Sequence, residues 1–422
     1  MYRTTPTTIP AVPPVASPAA TTIVVGVLSY NNAETIAHVL RTAHAGLRTY
    51  FGSHTSVVVN VDAGSSDGTR AQVSQLREEI AGLVETPVPH SDRAQPASAA
   101  PSTGTFRVLL DLARKHQARA CMVLSPSLRS ITPEWIDRLV RPVLDEQFDL
   151  VLPWYARHRF EGTLTSAIVY PLTRALYGKR LRQPTGGDLA FSPTLADHFW
   201  REDLWGTDGS RLTTDVRASV EALCNGYRVG QAHVGPVVHA FTSPPDLSTV
   251  LADVLGSVFE EMNHHAPFWQ KVRGSESVHT FGAPGEPGSE TAPVDPQNAF
   301  ESFSLGCTSL KDVWGLVLPP GMLLELGRLG RLPMERFEMP DALWARLVYD
   351  FALGYRLRTI NRGHLLRAFM PLYLGWLASF MMEMRSARIE EVEARLERLA
   401  LAYEGQKPYL ISRWRWPDRF NP

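Results

Sequence analysis

The first 150 residues alternate between continuous apolar runs and helical apolar spacing. Residues 22–28 and 56–61 are β-branched, apolar runs, typical of strands buried on both faces. Between them, apolar residues recur at helical spacing from Ile36, and Asn31 or Asn32 is placed to cap that helix. This order predicts a βαβ unit.

The alternation continues beyond the first unit. Helical spacing is found over residues 106–116 and 131–144, and short strands are predicted at 120–124 and 150–153. Repeated strand–helix alternation is typical of a mainly parallel sheet covered by helices on both faces. The sequence therefore predicts an α/β fold.

The remaining segments differ in texture. Residues 1–21, rich in Pro, Ala and Thr, are predicted to be a disordered leader and not a signal peptide. We predict a domain with two halves, 22–153 and 154–245, the second rich in glycine-punctuated loops. A helical C-terminal region, 246–422, is predicted to follow, with a flexible loop at 274–297.

Apolar stripes mark the C-terminal region. Helical spacing begins at Trp344 and again at Ile389. Residues 365–382 are apolar, but Arg367 and Pro371 interrupt them, which favours a buried helix or an oligomer contact over a membrane span. The stripes fit homo-oligomerisation through the C-terminal helices, and they equally fit packing over the sheet.

Charge and cysteine content narrow the classes of partner. The 42 basic and 43 acidic residues give a net charge near −1, so neither nucleic acid nor an anionic membrane is expected as main partner. Three separated cysteines form no CxxC pair, which argues against a disulfide framework or a cysteine zinc site. A reducing cytoplasm is the expected location.

Two motifs follow the first two predicted strands. Residues 27–31 read Val-Leu-Ser-Tyr-Asn, and residues 61–69 read Val-Asp-Ala-Gly-Ser-Ser-Asp-Gly-Thr. The carboxyl ends of strands are where open α/β sheets bind ligands. Together the motifs resemble the nucleotide-binding half of family-2-like glycosyltransferases, which implies a GT-A (Rossmann-like) sheet.

Over about residues 22–416, the chain resembles bacterial glycosyltransferases related to the glucosylglycerate and mannosylglycerate synthases. The resemblance implies transfer of a hexosyl group from a UDP-, GDP- or ADP-hexose to a small hydroxylated acceptor such as glycerate. A small acid would need a cationic acceptor pocket. The segments that carry this likeness are residues 182–192, 205–214, 226–239, 371–380 and 407–414.

The resemblance assigns donor contacts to Ser29, Asp62 and Asp67. Asp62 would accept hydrogen bonds from the base or the ribose hydroxyls, and capping the turn that follows it is the alternative. Asp67 fits ligand contact and an Asx-turn equally well.

The resemblance also assigns acceptor-side roles. In the loop of Gly186, Gly187 and Asp188, the absence of glycine side chains would let backbone amides approach the sugar, and the Asp188 carboxylate would accept hydrogen bonds from the sugar's hydroxyls. A plain tight turn is the alternative. Asp208 would act on the acceptor as a general base or an orienting group, and a solvated loop residue is the alternative. The predicted acceptor-side residues are Arg182, Gly186, Gly187, Asp188 and Thr207, with Asp208 catalytic.

One segment departs from the family pattern. Ser125-Pro126-Ser127 stands where the family has Asp-x-Asp, which with His239 would hold Mg²⁺ or Mn²⁺ against the diphosphate. Neutral hydroxyls bind such cations poorly, so a core histidine is the alternative for His239. We predict donor contacts from Ser125, Ser127 and Arg129. As a hypothesis, Arg107, Arg129 or Arg182 supplies positive charge in place of the metal.

Two interpretations of the whole chain follow. The first is an active hexosyltransferase with weak or no dependence on a divalent cation. The second is a pseudoenzyme that keeps the scaffold as a sugar or nucleotide sensor, or as the partner of an active paralogue.

Overall fold

A mainly parallel eight-stranded sheet is the centre of the molecule. The computed structural model describes residues 23–87, 103–202, 211–240, 246–288 and 295–417. The strands of the main sheet, and of a two-stranded sheet formed by β6 and β9, are β1 (Ile23–Ser29), β2 (Ser56–Asp62), β3 (Val84–Pro87), β4 (Ala120–Leu124), β5 (Leu150–Tyr155), β6 (Lys179–Arg180), β7 (Leu189–Phe191), β8 (Val229–Gly235), β9 (Glu276–Ser277) and β10 (His279–Phe281).

The strand order of the main sheet is β10-β8-β5-β7-β4-β1-β2-β3. Only β7 runs antiparallel to its neighbours, β4 and β5. Every other pair is parallel, so the carboxyl ends of β1, β2, β4 and β5 meet at one edge of the sheet. The predicted α/β class with a mainly parallel sheet is confirmed.

Helices cover both faces of the sheet and form the C-terminal extension. A π-helical turn, Thr165–Val169, precedes α5, and a 3₁₀ turn, Met334–Arg336, precedes α13. The helices are α1 (Ile36–Phe51), α2 (Thr69–Leu76), α3 (Thr103–Lys115), α4 (Pro133–Asp145), α5 (Tyr170–Tyr177), α6 (Pro193–Arg201), α7 (Arg211–Cys224), α8 (Leu247–His264), α9 (Ala266–Trp269), α10 (Pro296–Ser309), α11 (Lys311–Trp314), α12 (Pro320–Leu329), α13 (Asp341–Leu357), α14 (Arg362–Ala368), α15 (Met370–Glu383) and α16 (Ile389–Arg415).

Strand β1 separates two apolar layers, as its continuous apolar run predicts. Val25 and its alternate neighbours pack in the layer that contains α1 and α4, whereas Val24 packs in the layer of α3. Gly26 faces α3, and a Cβ there would lie 2.4 Å from Leu109. The glycine therefore lets α3 approach the strand closely.

The C-terminal helices pack on the sheet domain and share its core. The indole of Trp344 and the hydroxyl of Tyr403 both donate to the carbonyl of Ala167, at 3.0 and 2.9 Å. The ammonium of Lys407 donates to the carbonyl of Ala175 at 2.6 Å. Of the two uses foreseen for the apolar stripes, packing within the chain is therefore realised.

Three local features differ from what the sequence pattern indicates. The loop predicted at 274–297 contains β9 and β10, and β10 pairs with β8 to extend the main sheet. Part of this loop, and the predicted leader, lie outside the described residues. Neither Asn31 nor Asn32 caps α1, because their side-chain oxygens accept the amides of Ser66 and Tyr30 instead. Strand β3 was not predicted.

Within the described residues, one stretch, Arg362–Glu383, is long and apolar enough to cross a membrane by length and composition. It comprises α14 and α15, and 72% of its most apolar window is buried inside the protein. This matches the burial that the sequence favoured.

Candidate functional site

The Ser-Pro-Ser segment follows β4 and lies against the chain that leaves β8. The hydroxyl oxygens of Ser125 and Ser127 are 3.1 Å apart, and the Ser127 oxygen is 3.0 Å from Nδ1 of His239. A backbone bond from the Arg129 amide to the Val238 carbonyl, at 2.8 Å, holds the two segments together. The structure thus brings both serines and the histidine into one hydrogen-bonded chain.

This group does not suit the divalent cation that the resemblance implies. Ser125, Ser127 and His239 offer two neutral hydroxyls and one imidazole. Mg²⁺ and Mn²⁺ prefer anionic oxygen ligands, and two hydroxyls do not offset their charge. We therefore derive no step through a cation here.

Asp188 supports the Ser-Pro-Ser segment from below. Its side chain is buried, and its two carboxylate oxygens accept the Ser125 amide and the Tyr155 hydroxyl, each at 2.6 Å. Burial, followed by the charge of Asp188, raises the pKa of Tyr155 well above its usual value, so this hydroxyl stays protonated and donates. In this structure Asp188 positions the backbone of Ser125, a role that differs from the sugar contact predicted for it.

Asp62 is engaged in the turn that it begins. One carboxylate oxygen accepts the amides of Gly64 and Ser65, both at 2.9 Å. The other accepts the hydroxyls of Ser65, at 2.6 Å, and Ser29, at 3.3 Å. Asp62 is only 1% exposed. The turn-capping alternative is therefore realised, and it also occupies the hydroxyl of Ser29.

Asp67 joins the loops after β1 and β2. Its carboxylate accepts the amide of Thr69 at 3.0 Å and the amide of Ala33 at 2.9 Å. The Thr69 hydroxyl also donates to this carboxylate, at 2.5 Å. Burial raises the pKa of Asp67, but the bond from the Thr69 hydroxyl and those from the two amides together lower it by more, so the net shift is downward. Asp67 forms the Asx-turn that the sequence offered as one of two interpretations.

The arginines proposed to replace the metal make other contacts. Arg129 forms an exposed ion pair with Glu34. Arg107 lies on α3, with its guanidinium carbon 5.4 Å from the ring centre of Trp200. Neither contact directs an arginine toward the serine hydroxyls.

Arg182 is directed away from the serines. Its guanidinium makes two 3.0 Å bonds to the carboxylate of Glu393 in α16, and a third bond, of 3.3 Å, to the Ser166 hydroxyl. The guanidinium carbon also lies 5.2 Å from the ring centre of Tyr170. Arg182 therefore ties the sheet domain to the last helix.

The glycine loop before Asp188 is a tight turn that fits closely over β5. The Gly186 amide donates to the Gln183 carbonyl at 3.1 Å. A Cβ on Gly186 would lie 2.5 Å from the ring of Pro153, so only glycine fits there without displacing the strand. Gly187 follows directly and leads into Asp188 and β7.

A cavity of about 460 Å³ lies beside this turn, between the end of β5 and α16. Tyr155 connects the cavity to the serines, because it lines the cavity and its hydroxyl donates to Asp188, which in turn accepts the Ser125 amide. The lining residues are Trp154, Tyr155, Ala156, Arg157, His158, Arg159, Glu161, Gly162, Thr165, Ser166, Arg182, Gln183, His233, Pro284, Gly285, Pro287, Ile389, Glu390, Val392, Glu393 and Leu396.

Three arginines, Arg157, Arg159 and Arg182, line this cavity, and Arg157 has a distinctive environment. Its Nε atom is enclosed and has no hydrogen-bond partner within the described part of the chain. Burial lowers the pKa of Arg157, yet an arginine stays charged in proteins. Nearby, the ring of His233 stacks on Trp154 at 4.4 Å, and burial followed by the charge of Arg138 lowers the pKa of His233.

The sequence analysis did not single out Arg157 or His233. The signal that could have found Arg157 is the run of aromatic and basic residues, 154–159, directly after a buried strand. The predicted residues Thr207 and Asp208 lie outside the described residues.

Comparison with solved structures gives partial likenesses, including two complexes of one enzyme. No protein-family model matches the chain, and no curated protein matches its sequence. Glucosyl-3-phosphoglycerate synthase from Mycobacterium tuberculosis, with Mn²⁺, UDP and glucosyl-3-phosphoglycerate, is similar at 18% identity over 58% of this chain and 81% of that one, with a TM-score of 0.45. The complex of the same enzyme with Mg²⁺ and UDP is 18% identical over 58% of this chain and 80% of that one, with a TM-score of 0.44. A likeness of this size does not define function.

Proposed function

We propose that this protein is a GT-A glycosyltransferase that moves a hexosyl group from a nucleotide sugar to a small hydroxylated acid. The observation that carries the proposal is the continuous connection from Ser125 through Asp188 and Tyr155 to the cavity that holds Arg157. The diphosphate of the donor would lie at the serines and the acceptor in the cavity, with Tyr155 beside both.

In this proposal the hydrogen-bonded chain of the Ser125 hydroxyl, the Ser127 hydroxyl and the His239 imidazole presents a donor to the diphosphate in place of a cation. Their mutual spacing of 3.0–3.1 Å makes them a connected set. Asp188 fixes the Ser125 amide, and its own charge is taken up by two donors. Dependence on Mg²⁺ or Mn²⁺ is therefore expected to be weak or absent.

The acceptor would be held by Arg157. A carboxylate or phosphate accepts two hydrogen bonds from a guanidinium, and Arg157 lines the cavity in which the acceptor would lie. In the reaction, an acceptor hydroxyl oxygen forms a bond to the anomeric carbon while the bond from that carbon to the nucleoside diphosphate breaks. The acceptor proton would pass to Asp208 if the outcome is inverting, as the resemblance implies.

The first test measures donor binding and turnover. Calorimetry with UDP-, GDP- and ADP-hexoses, with and without Mn²⁺, should give one preferred nucleotide whose affinity changes little with the metal. A screen of small hydroxy acids, including glycerate, should then yield a glycosylated product. Binding without product over the whole screen would point to the sensor interpretation, and strong dependence on Mn²⁺ would contradict the role given to the serines.

The acceptor residue has its own test. Arg157→Gln should raise the acceptor KM by roughly 10-fold or more, because one charge-assisted hydrogen bond contributes about 1.5–3 kcal/mol. Arg180, whose Nε contacts the Ser275 hydroxyl at the surface, gives the matched control Arg180→Gln. An unchanged acceptor KM in Arg157→Gln would remove Arg157 from the proposal.

The missing acidic pair can be restored. Ser125→Asp with Ser127→Asp should create donor hydrolysis or transfer that depends on Mn²⁺, since His239 already lies 3.0 Å from Ser127. Ser125→Asn with Ser127→Asn has nearly the same shape without the charge and should not respond to the metal. An equal metal response in both variants would show that these positions do not face the diphosphate.

A further inference from the structure

A second cluster of ionisable side chains lies where α7 and α8 meet. Glu221 is on the last turn of α7, and Glu261 and His265 are four residues apart on one side of α8 and its end. Nε2 of His265 is 3.3 Å from Glu221 Oε1 and 3.3 Å from Glu261 Oε2. Helix α7 leads into the start of β8, so the cluster lies at the sheet edge opposite Ser125.

The geometry differs from that of an ordinary ion pair. The Glu261 side chain is 2% exposed. Glu261 Oε2 and His265 Nε2 are both enclosed, and neither forms a directed hydrogen bond despite their separation of 3.3 Å. In a tetrahedral zinc site with bonds of about 2.0–2.1 Å, neighbouring ligand atoms are about 3.3–3.4 Å apart. Both measured separations fit such a site.

Each carboxylate holds one oxygen outward and one inward. Arg217 Nε is 3.1 Å from the outer oxygen of Glu261. His198 Nε2 and Asn225 Nδ2 lie 3.3 and 2.9 Å from the outer oxygen of Glu221. Outer partners of this kind orient metal ligands, and here they leave one oxygen of each carboxylate facing His265.

The charges at the cluster favour a cation. Glu221 and Glu261 bring two carboxylates to the single imidazole of His265. The cationic or protonatable groups facing the cluster are Arg217 on α7 and His198 on α6, and both lie at the outer carboxylate oxygens. The inner oxygens therefore remain for a cation, and binding it would release any proton on Nε2 of His265 to solvent.

We propose that Glu221, Glu261 and His265 bind a zinc ion that links α7 to α8, leaving a fourth position for water. Mixed imidazole and carboxylate ligands suit zinc, whereas Mg²⁺ takes oxygen ligands and keeps several waters. The site would be separate from the serines and from the cavity of Arg157, so its test does not depend on any transferase activity.

The test uses the full chain, freed of metal by a chelator and then titrated with Zn²⁺. Elemental analysis after gel filtration should find about one zinc per chain, and Mg²⁺ should not compete. Bound zinc should raise the Tm by roughly 5 °C at a hundredfold excess over its Kd. Glu261→Gln and His265→Gln should each remove the bound zinc.

Two control variants localise the ion. Glu260 neighbours Glu261 but pairs with Arg362 and His264, so Glu260→Gln should keep the zinc. His239→Asn should also keep it, which excludes the serine segment as the binding site. Zinc retained in His265→Gln, or no zinc on the wild-type chain, would overturn the proposal.

A second measurement applies if the variants do not fold. Co²⁺ added to the wild-type chain should give the intense visible absorption of a tetrahedral site, and Zn²⁺ should abolish it. A weak octahedral spectrum, or none, would mean that the cluster is a network of ion pairs without a metal.

Discussion

Replacing Asp188 tests whether its carboxylate stabilises the Ser-Pro-Ser turn through the Ser125 amide. In Asp188→Ala, the Ser125 amide and the Tyr155 hydroxyl each lose their 2.6 Å acceptor in a buried setting. An orphaned buried donor costs about 1–3 kcal/mol, so we expect a loss of about 2–6 kcal/mol in the free energy of unfolding.

Asp188→Asn should behave differently. Its oxygen can still accept the Ser125 amide, and the Tyr155 hydroxyl can rotate to accept from the new amide group. Only the charge assistance of two bonds is lost, roughly 1 kcal/mol for each. The expected loss is therefore about 2 kcal/mol.

Urea unfolding measures both variants by linear extrapolation. Asp197→Ala is the matched control, because Asp197 is 44% exposed and pairs with Arg114 at the surface, where such pairs contribute about 0–1 kcal/mol. The reasoning fails if Asp188→Ala stays within about 0.5 kcal/mol of the wild type. It also fails if Asp188→Asn loses as much as Asp188→Ala.

Further predictions concern the helical extension and two glycines. Arg413→Met should cost about 3–5 kcal/mol by urea unfolding, because buried Asp350 loses its cationic partner at 2.7 Å and keeps the neutral Tyr409 hydroxyl. Asp350→Leu combined with Arg413→Met should recover most of this loss, and equal losses in the single and double variants would contradict the reasoning. Burial raises the pKa of Asp350 from 3.8 to about 6 despite the opposing Arg413, so its stabilising contribution is greatest below pH 3.8 and is lost as the pH rises through 6. The stability of the wild type relative to Asp350→Asn should therefore decline over that range, and an increase would refute it. Gly46→Ala should lower the free energy of unfolding by about 1–3 kcal/mol, since its Cβ would lie 2.5 Å from Ile136. Gly405→Ala in α16 should raise it by up to about 1 kcal/mol, because a Cβ there meets open space. Calorimetry that shifts the Tm of both variants in the same direction would rule out this difference.

The strands found from sequence are those whose own residues require burial. β1 and β4 are mainly continuous apolar runs, and β2 is a valine-rich strand interrupted by Asn60. Their order with the intervening helices predicts the parallel sheet. β3 and β10 are short, and a strand such as His279–Phe281 is specified by its pairing with β8 more than by its own pattern. Edge strands of this kind are not visible in local periodicity.

The candidate site shows a similar division. The contact between Ser127 and His239 followed from matching segments to a known family, because no local pattern links residues 112 positions apart. The pairing of Arg182 with Glu393 depends on how α16 crosses the sheet domain, and no local pattern indicates it. Short-range turn chemistry at Asp62 and Asp67 was visible, and at both residues the turn explains the observed bonds.

The wall that α16 gives to the cavity bears on how such a protein changes over time. Ile389, Val392, Glu393 and Leu396 lie on a helix far along the chain from the strands that carry the serines. Substitutions along one side of this helix can reshape the compartment beside Arg157 while the strands stay as they are. Under the proposed function, selectivity for the acceptor would then diversify separately from recognition of the nucleotide sugar.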